Sequence, residues 1–325
     1  MNIRITEDYI GKRFDVAISQ LSNGLSRSMI QKLMKRGCVT IEECPLADPS
    51  KKVMGQCDVY VDDTSCDDDQ YEIEAEDIAL EVLYEDEHLV VINKPAGLVC
   101  HPAPGHKSGT LVNAIAFRFN NELSDIGGPT RPGIVHRLDM NTSGVMLIAK
   151  NNDAHNRIAT LFANGKGDLI SRNYACFVFG RPGQRSGCID TLIKRHPRLR
   201  QQYTVGKDRG KRALTIYELD QTVYCSPTSI ISKMMCKLLT GRTHQIRVHM
   251  KHIGLPVIGD QVYGKSKVDS TYPDVVRNLK RQALHAMELS FVHPFTKERM
   301  TFNSQLPPDL KMIDELFSPQ KPPPQ

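Results

Sequence analysis

The sequence has no run of about 18 apolar residues, the length that a membrane-spanning helix needs, so we expect no transmembrane segment. Its N-terminal stretch, MNIRITEDYIGKRF, lacks the apolar core of a secretory signal. Hydrophobic residues still make up 40% of the 325 residues, which is enough for a sizeable core and excludes a disordered chain. The length predicts about two domains.

None of the nine cysteines forms a CxxC pair, which argues against a zinc ribbon and against a zinc-dependent nucleobase deaminase. An odd number of single cysteines in a long chain also argues against a disulfide framework. We therefore expect reduced thiols in a cytoplasmic protein, and we predict no metal site.

Lysine and arginine are absent from residues 53–93, which hold 14 Asp and Glu residues. The rest of the chain carries 42 basic against 23 acidic residues, although the net charge of the whole chain is only +5. Such a basic body favours a polyanionic partner, and nucleic acid is the usual one. An ordinary basic surface beside an acidic linker is the alternative interpretation.

Residues 1–62 are predicted to form a small αβ module that contains one amphipathic helix. Ser26 is the expected N-cap of the segment SMIQKLMKR, and Gly37 is the expected C-terminal stop. The apolar residues of this helix fall on one face and the basic residues on the other. The basic face is either solvated or lies along RNA phosphates. The candidate RNA-binding residues of the module are Arg27, Lys32, Lys35 and Arg36.

The remaining chain divides by composition into three parts. Residues 63–78 are acidic and poor in apolar side chains, so we expect a linker. Residues 79–312 contain several apolar strands and fewer helices, without a regular strand–helix alternation. This order predicts an α+β fold built on a mixed, mainly antiparallel sheet with flanking helices. Residues 313–325, which end in SPQKPPPQ, predict a disordered tail.

The densest cluster of reactive side chains is RPGIVHRLDMNTSG, residues 131–144, where a turn leads into an apolar strand. This order places Asp139 at the mouth of a sheet, two residues from Arg137. A nearby guanidinium keeps a carboxylate ionised at neutral pH, and a partly desolvated carboxylate can act as a nucleophile. From the residues alone, a structural ion pair between the two is an equally good interpretation.

A second cluster, LTGRTHQIRVHMKH, follows a predicted strand and has helical spacing from about Thr243. On such a helix Thr243, Arg247 and Lys251 share one face that offers hydrogen-bond donors. An alternative is a metal site formed by three histidines, namely His244, His249 and His252. Their spacing does not match a zincin helix, and no nearby cysteine or glutamate completes a ligand set.

The segment GDQVYGKS, residues 259–266, matches the phosphate-loop pattern GxxxxGK[ST] letter for letter. That motif requires a buried strand before it and a helix after it. Here only the short LPVI precedes it, Pro273 follows it closely, and a tyrosine and a valine occupy the loop. We therefore do not predict an ATPase or a GTPase.

Basic residues also crowd residues 194–212, predicted as a turn-rich connection in which Asp208 is the only acidic residue. This composition favours a phosphate-contacting arm over a solvated loop. The candidates are Lys194, Arg195 and Arg198. Tyr174 precedes a predicted strand, where it either packs in the core or stacks on a base that faces Asp139.

In this order, the motifs resemble those of the RluA-type RNA pseudouridine synthases. The resemblance extends from about Arg13 to Pro308, and HRLDxxTSG together with TGRTHQIRVH is its most specific part. Residues 13–62 resemble the S4-like RNA-binding module that is often fused to these enzymes. HPAPGHKSGTLVNA and RHPR are most similar to the subtype that acts on large-subunit rRNA. The matching segments are NKPAGL (93–98), GTLVN (109–113), HRLDMNTSG (136–144), TGRTHQIRVH (240–249), GDQVYG (259–264) and LHA (284–286).

The resemblance implies isomerisation of specific uridines in large-subunit rRNA, without a metal or nucleotide cofactor. By this resemblance Asp139 is the nucleophile that attacks the ribose, Tyr174 stacks on the target ring and helps to move a proton, and Arg247 orients Asp139. Ile246 lines the apolar side of the uracil pocket, and Arg137 fills the space that the extruded nucleotide leaves. Three further candidate substrate-binding residues are His136, Thr240 and Arg242.

Two segments depart from the common family pattern. Met140-Asn141 stands where many relatives have Lys-Asp, and Ser171-Arg172-Asn173 differs from the more common Lys-Glu-Tyr lead-in. Both departures concern the substrate rather than the chemistry. Two alternatives come from other classes: a non-catalytic RNA-binding protein, and an N-glycoside hydrolase, which usually needs a second carboxylate. We further expect a monomer that makes no contact with a membrane.

Overall fold

The computed structural model describes residues 1–22, 25, 27–42, 44–62, 73–102, 105–119, 123–128, 130–164, 169–199, 201–265 and 267–318. The chain divides into two compact units, Met1–Tyr71 and Glu72–Gln325. The predicted cap at Ser26, most of the predicted acidic linker and the proline-rich end of the tail lie outside the described residues.

The first unit packs two helices against a four-stranded antiparallel sheet. The apolar face predicted for the second helix is buried, since Ile30, Leu33 and Met34 are fully enclosed beside the strands. The helix ends just before Gly37, as its sequence predicts. In sheet order, the strands are β1 (Asn2–Ile5), β4 (Cys57–Val61), β2 (Val39–Ile41) and β3 (Cys44–Pro45), and the helices are α1 (Phe14–Leu21) and α2 (Arg27–Lys35).

The second unit is organised around a ten-stranded sheet. Among the described strand pairs only β7 and β13 run parallel, so the predicted mixed, mainly antiparallel α+β architecture is confirmed. The order along the sheet is β10-β9-β11-β12-β8-β13-β7-β6-β5, and β14 pairs with β13. The strands are β5 (Glu81–Glu85), β6 (Leu89–Lys94), β7 (Ser143–Ala149), β8 (Ile170–Phe179), β9 (Ser186–Arg195), β10 (Tyr203–Gly206), β11 (Lys211–Tyr224), β12 (Ile230–Leu238), β13 (Leu284–Val292) and β14 (Arg299–Asn303).

The central strands are uninterrupted apolar runs because both of their faces are buried. In β6, Val90 and Ile92 join the core under α3 (Leu111–Arg118), whereas Leu89 and Val91 join the core under α4 (Asn152–Asn164). The alternation follows from the two-residue period of a strand. The remaining helices are α5 (Gln245–His252), α6 (Asp274–Arg277) and α7 (Pro308–Asp314).

The predicted linker, 63–78, is too long at its C-terminal end. Ile73 packs against the core of the second unit, and the Asn113 side chain donates a hydrogen bond to the Glu74 carbonyl over 2.8 Å. The Glu76 carboxylate accepts a hydrogen bond from the Gly109 amide at 2.9 Å, just before α3. Acidic side chains near a helix N-terminus are stabilising, so the negative charge here belongs to folded structure.

The predicted disordered tail likewise begins too early. Leu310, Ile313 and Phe317 are buried at helical spacing, and they hold α7 and a following 3₁₀ turn, Glu315–Phe317, against the core. The low-complexity sequence of the last residues, SPQKPPPQ, made this apolar stripe difficult to recognise from the sequence.

The predicted turn-rich connection at 194–212 contains parts of three strands, so it is not simply a loop. β9 continues to Arg195, β10 follows, and β11 begins at Lys211. Basic side chains fit this end of the sheet because one face of the strands is solvated. None of the described helices is long and apolar enough to cross a membrane.

Candidate active site

The second unit contains a cleft of about 460 Å³. Five parts of the fold form its walls: the loop before β7, the C-terminal end of α4, strand β8, the turn that follows β12 and the first turn of α5. The two most specific sequence motifs therefore meet in one place. The candidate residues that line the cleft are His136, Arg137, Asp139, Tyr174, Arg242, Ile246 and Arg247.

Asp139 and Arg247, which are 108 residues apart, form an ion pair in the cleft. Nη1 of Arg247 donates to Oδ2 of Asp139 over 2.8 Å. The Asp139 side chain is 18% exposed, so it can reach a ligand, whereas that of Arg247 is 6% exposed. The guanidinium beside Asp139 is thus Arg247, and the alternative interpretation, an ion pair between Asp139 and Arg137, is not formed among the described residues.

Arg247 is fixed from behind by a second carboxylate. Its Nε and Nη2 donate to the two oxygens of Asp260 at 2.7 and 3.0 Å, which is a bidentate pair. Burial alone would lower the pKa of Arg247, but the two carboxylates outweigh it and raise the pKa above its usual value. Burial likewise opposes ionisation of Asp260, yet the bonds from Arg247 hold the pKa of Asp260 below its usual range.

Arg247 is positioned by the turn that precedes α5 and by the abrupt start of that helix. His244 has a left-handed backbone with φ 56°, so α5 starts at Gln245 and not at Thr243 as predicted. The Gln245 side-chain oxygen accepts bonds from the Thr240 hydroxyl at 2.8 Å and the Arg242 amide at 2.9 Å. Thr240 also accepts a bond from the Leu214 amide, so it braces this turn rather than lining the cleft.

Tyr174 and Ile246 form the apolar side of the cleft. Tyr174 is 6% exposed and Ile246 is 3% exposed. Burial raises the pKa of the Tyr174 hydroxyl to about 12, although the nearby Arg172 opposes this shift. Tyr174 therefore presents a flat, uncharged ring with its proton in place at neutral pH.

The sequence analysis missed two aromatic groups beside Asp139. Nε2 of His244 lies 4.0 Å from Oδ2 of Asp139, and its Nδ1 is 2.8 Å from the Tyr263 hydroxyl. The Tyr263 ring faces the Arg247 guanidinium with 5.0 Å between their centres. Both residues stand in segments that match the family pattern, TGRTHQIRVH and GDQVYG, but the sequence assigns neither of them a role beside Asp139. The signal for these two residues is Arg247 in the motif TGRTHQIR, because a buried guanidinium needs polar and aromatic groups around it.

His136 serves as a wall of the cleft. Its Nε2 accepts a hydrogen bond from the Leu147 amide at 2.9 Å, and its ring lies 4.7 Å from that of Phe162. Burial lowers the pKa of His136 to about 3, so the ring is neutral.

Arg137 and Arg242 are exposed and lie at the rim. Arg137 is 3.4 Å from His101, and Nε of Arg242 donates to the Arg212 carbonyl at 3.0 Å.

The loop that carries Asp139 rests on a buried lysine. Lys94 is fully enclosed, and its ammonium donates to the carbonyls of Pro95, Leu98 and Met140 at 2.7, 2.9 and 3.0 Å. Burial lowers the pKa of Lys94 to about 8. At the other end of the loop Gly144 allows β7 to approach β13, since a Cβ there would lie 2.2 Å from the Ala286 carbonyl oxygen.

The candidate RNA-binding residues of the first unit differ in their surroundings. Arg27 donates to Asp15 at 3.0 Å, so its charge is matched by a carboxylate. Burial opposes ionisation of Asp15, but hydrogen bonds from Arg13, Gln31 and Arg27 keep its pKa below the usual range. Lys35 and Arg36 are exposed at the end of α2, and the side chain of Lys32 lies outside the described set.

In the second unit Lys194 and Arg195 are exposed at the end of β9, and Arg198 is exposed in the following turn. Nη2 of Arg195 is 3.4 Å from the Tyr203 hydroxyl.

The structure gives physical reasons against the alternatives at residues 259–266. The Val262 and Tyr263 amides donate to Asp260, at 2.9 and 3.0 Å, so they do not point at an empty anion site. The next helix begins only at Asp274.

The three histidines considered for a metal are separated by their contacts. His249 bonds Thr191 and Thr215, whereas His244 bonds Tyr263. Over the described ranges no group of three or more His, Cys, Asp or Glu side chains is arranged to hold a metal.

Comparison with known proteins places this site in a family. Residues 88–252 match the family model described as RNA pseudouridylate synthase. The ribosomal large subunit pseudouridine synthase D of Zymomonas mobilis is 40% identical over 319 residues, which covers 97% of this chain and 96% of that protein. The protein of the same name from Pseudomonas aeruginosa is 40% identical over 312 residues, or 94% of this chain and 92% of that one.

A solved structure titled Human RNA Pseudouridylate Synthase Domain Containing 1 has a similar fold, with a TM-score of 0.54 at 23% identity. It covers 76% of this chain and 98% of its own. The chain belongs to the RNA pseudouridine synthase family, and it is an isomerase that acts on RNA. Within that family it is similar over nearly its whole length to proteins named ribosomal large subunit pseudouridine synthase D, which agrees with the motif resemblance.

Proposed function

We propose that the protein converts specific uridines of large-subunit rRNA to pseudouridine, with Asp139 as the nucleophile. The single observation that carries this proposal is the partly exposed Asp139 carboxylate, which is held by the buried Arg247 in a cleft with Tyr174. The names of the similar proteins support large-subunit rRNA as the substrate.

Each residue then has a role that its environment supports. Arg247, itself fixed by Asp260, keeps Asp139 ionised and aimed at the ribose of the target uridine. Asp139 bonds to the ribose as the bond between N1 and C1′ breaks, and the detached uracil turns. C5 then joins C1′ as the Asp139 carboxylate leaves, and C5 loses its proton while N1 gains one. Tyr174 offers a flat ring on which the base stacks and a hydroxyl that moves a proton. Ile246 keeps the apolar side of the pocket dry.

A paired base cannot enter such a cleft, so the uridine must leave its stack at a cost of a few kcal/mol. Arg137, at the rim, is placed to fill the space that the nucleotide leaves. His136 and Arg242 border the cleft and limit how the RNA enters it.

We propose that the first unit is an S4-like RNA-binding module. Its support is the compact αβ unit and the exposed Lys35 and Arg36 on α2. A cytoplasmic, monomeric protein that takes part in ribosome biogenesis is consistent with rRNA as substrate, and both free rRNA and an assembling particle fit the cleft chemistry.

The test is release of tritium from large-subunit rRNA transcripts that carry uridine labelled at C5. Because C5 loses its hydrogen in the isomerisation, the wild-type protein is expected to release tritium, and mapping of the product would identify the uridine. The Asp139→Asn variant is expected to release none. Binding of the transcript by the wild type without any release would instead support the non-catalytic RNA-binding protein.

A hydrolase of N-glycosides is the second chemical alternative, and it needs a further acid near the substrate. Asp260 is the carboxylate beyond Arg247, but its side chain is fully buried and both of its oxygens are bonded. Free uracil among the reaction products would contradict the isomerase assignment.

A further inference from the structure

Arg172, on strand β8, is a buried cation with almost no protein partner. The residue is 7% exposed, yet its guanidinium makes one hydrogen bond, from Nη2 to the Leu238 carbonyl at 3.3 Å. Nε is enclosed without any acceptor, and Nη1 also has none among the described residues. No carboxylate in the described chain forms an ion pair with Arg172.

This arrangement is unfavourable in the protein alone. A buried charge is tolerated when a counter-charge or several hydrogen bonds compensate for its lost hydration. At Arg172 the nearest help is the Phe162 ring, 5.1 Å from the guanidinium centre. Burial and the neighbouring Arg242 lower the pKa of Arg172, whereas Tyr174 acts in the opposite direction. The surroundings thus add positive charge where a negative one is needed.

Arg172 lies on the wall of the cleft beside Tyr174. Arg172 and Tyr174 are two residues apart on β8, so their side chains lie on one face, and both line the cleft. A Cβ on Gly241 would lie 3.0 Å from Nη1 of Arg172, so the glycine makes room for the guanidinium. Asp139 and Arg247 are bonded to each other, so the Asp139 carboxylate does not balance the charge of Arg172, which is the buried one of the cleft's described arginines without an ion pair.

A second groove of about 270 Å³ continues from the cleft at this point. The two share Phe162, Ala163, Gly241 and Arg242, and the groove also contains Arg212. RNA whose base occupies the cleft has to leave along such a groove, with its phosphates against the walls. A phosphodiester between Arg172 and Arg242 would supply the missing charge and an acceptor for Nη1, whereas Nε stays enclosed.

We propose that Arg172 and Arg242 form a subsite for the phosphodiester next to the target uridine, and that this phosphate is the counter-ion of Arg172. The inference rests on the proposed function, since it assumes that RNA occupies the cleft. It makes Arg172 a residue selected for binding at the expense of folding stability.

The test compares Arg172→Met with Arg172→Lys and with Arg277→Gln, a control that removes an exposed guanidinium paired with Asp274. The dissociation constant of a fluorescent large-subunit rRNA stem-loop is measured at several KCl concentrations, and the melting temperature is measured without RNA. We expect Arg172→Met to weaken binding about tenfold or more and to reduce the salt slope by about one, because one phosphate contact is lost.

The same variant is expected to keep or raise the melting temperature, since it removes an uncompensated buried charge. Arg172→Lys should keep the slope, and Arg277→Gln should change nothing. A methylphosphonate beside the loop uridine should weaken binding of the wild type but not of Arg172→Met. A lower melting temperature with an unchanged salt slope would overturn the proposal in favour of a structural role.

An unchanged slope with slower tritium release would also overturn it, in favour of a contact to the base. Because the binding data do not depend on turnover, failure of the subsite is distinguishable from failure of the proposed reaction. Tritium release tests the reaction, whereas the salt slope tests the phosphate contact.

Discussion

Two buried arginines of the cleft, Arg247 and Arg172, differ in how their positive charge is balanced. At one end Arg247 lies between Asp139 and Asp260, and all three of its nitrogens donate to carboxylates. At the other end Arg172 is as deeply buried and has one long bond to a carbonyl. Preorganisation explains the arrangement around Arg247, because a reacting carboxylate must be held in one geometry. The incomplete charge balance around Arg172 is the observation behind the proposed phosphate subsite.

The largest expected effect comes from removing the Asp139 carboxylate, the more exposed partner of Arg247. Asp139→Asn should lower turnover by at least about 10³-fold, because an amide is not a nucleophile and cannot replace the carboxylate. RNA affinity should stay within a few-fold, since the cations that contact phosphate are unchanged. Single-turnover tritium release and the dissociation constant are the two measurements. Turnover near the wild-type rate would remove Asp139 from the nucleophile role.

The next effect comes from Asp260, the buried carboxylate on the other side of Arg247. Asp260→Asn should destabilise the protein by about 3 kcal/mol, because it removes one partner of a buried ion pair. Turnover should fall about 10²-fold, since Arg247 and therefore Asp139 lose their fixed position. Urea unfolding and tritium release measure the two effects.

The matched control is Asp190→Asn, which breaks the exposed pair with Arg212. An exposed pair contributes little, so its effect on stability should be within about 1 kcal/mol. Equal losses in the Asp260 and Asp190 variants would mean that burial of the pair is not what matters.

The same contrast explains what could be predicted from the sequence. Asp139 and Arg247 stand in motifs that are local in the chain, and β6 and β7 are apolar runs that any strand pattern finds. The pair between Asp139 and Arg247 follows from the family resemblance, whereas the contact between Arg247 and Asp260 cannot be read from either motif. Asp260 stands in a segment that imitates a phosphate loop, and Asp139 is 108 residues away from Arg247. Pairing at such separations is set by tertiary structure, which also buries Arg172 in a strand whose neighbours are apolar.

Strands β9 to β11 were missed for a related reason. Their exposed face carries many charged residues, so composition resembled a loop although the backbone is paired with its neighbours. The predicted linker ends too late and the predicted tail begins too early, because a few apolar residues, such as Ile73 and Phe317, pack in the core. Composition averages over such single contacts.

A smaller effect is expected in the first unit, where compensated and uncompensated cations again lie close in sequence. Lys35→Gln should reduce the salt slope of RNA binding by about 0.7 to 1 and weaken binding several-fold, with turnover at saturating RNA unchanged. Arg27→Gln should lower the melting temperature instead, because buried Asp15 loses a partner, and should leave the slope unchanged. The reverse pattern would show that Arg27, not Lys35, contacts RNA.

The last effect is on stability alone and concerns Lys94, a buried cation that carbonyls rather than a carboxylate hold. Its pKa is lowered to about 8 in the folded protein, from an ordinary value of 10.5. Between these two values the unfolded chain binds the proton and the folded protein does not, so stability rises with pH. Below pH 8 both states are protonated and the burial penalty is complete.

Lys94→Met cannot titrate, so the free energy of unfolding of the wild type relative to this variant should increase from pH 8 to pH 10.5. Both proteins are compared in a Cys100→Ala background, because the Cys100 thiol is a neighbouring titrating group. The measurement is urea unfolding across that range. A constant difference would mean that the three carbonyls compensate the ammonium fully, and that a buried cation in this protein needs no anion. The argument for a phosphate at Arg172 would then depend on the salt slope alone.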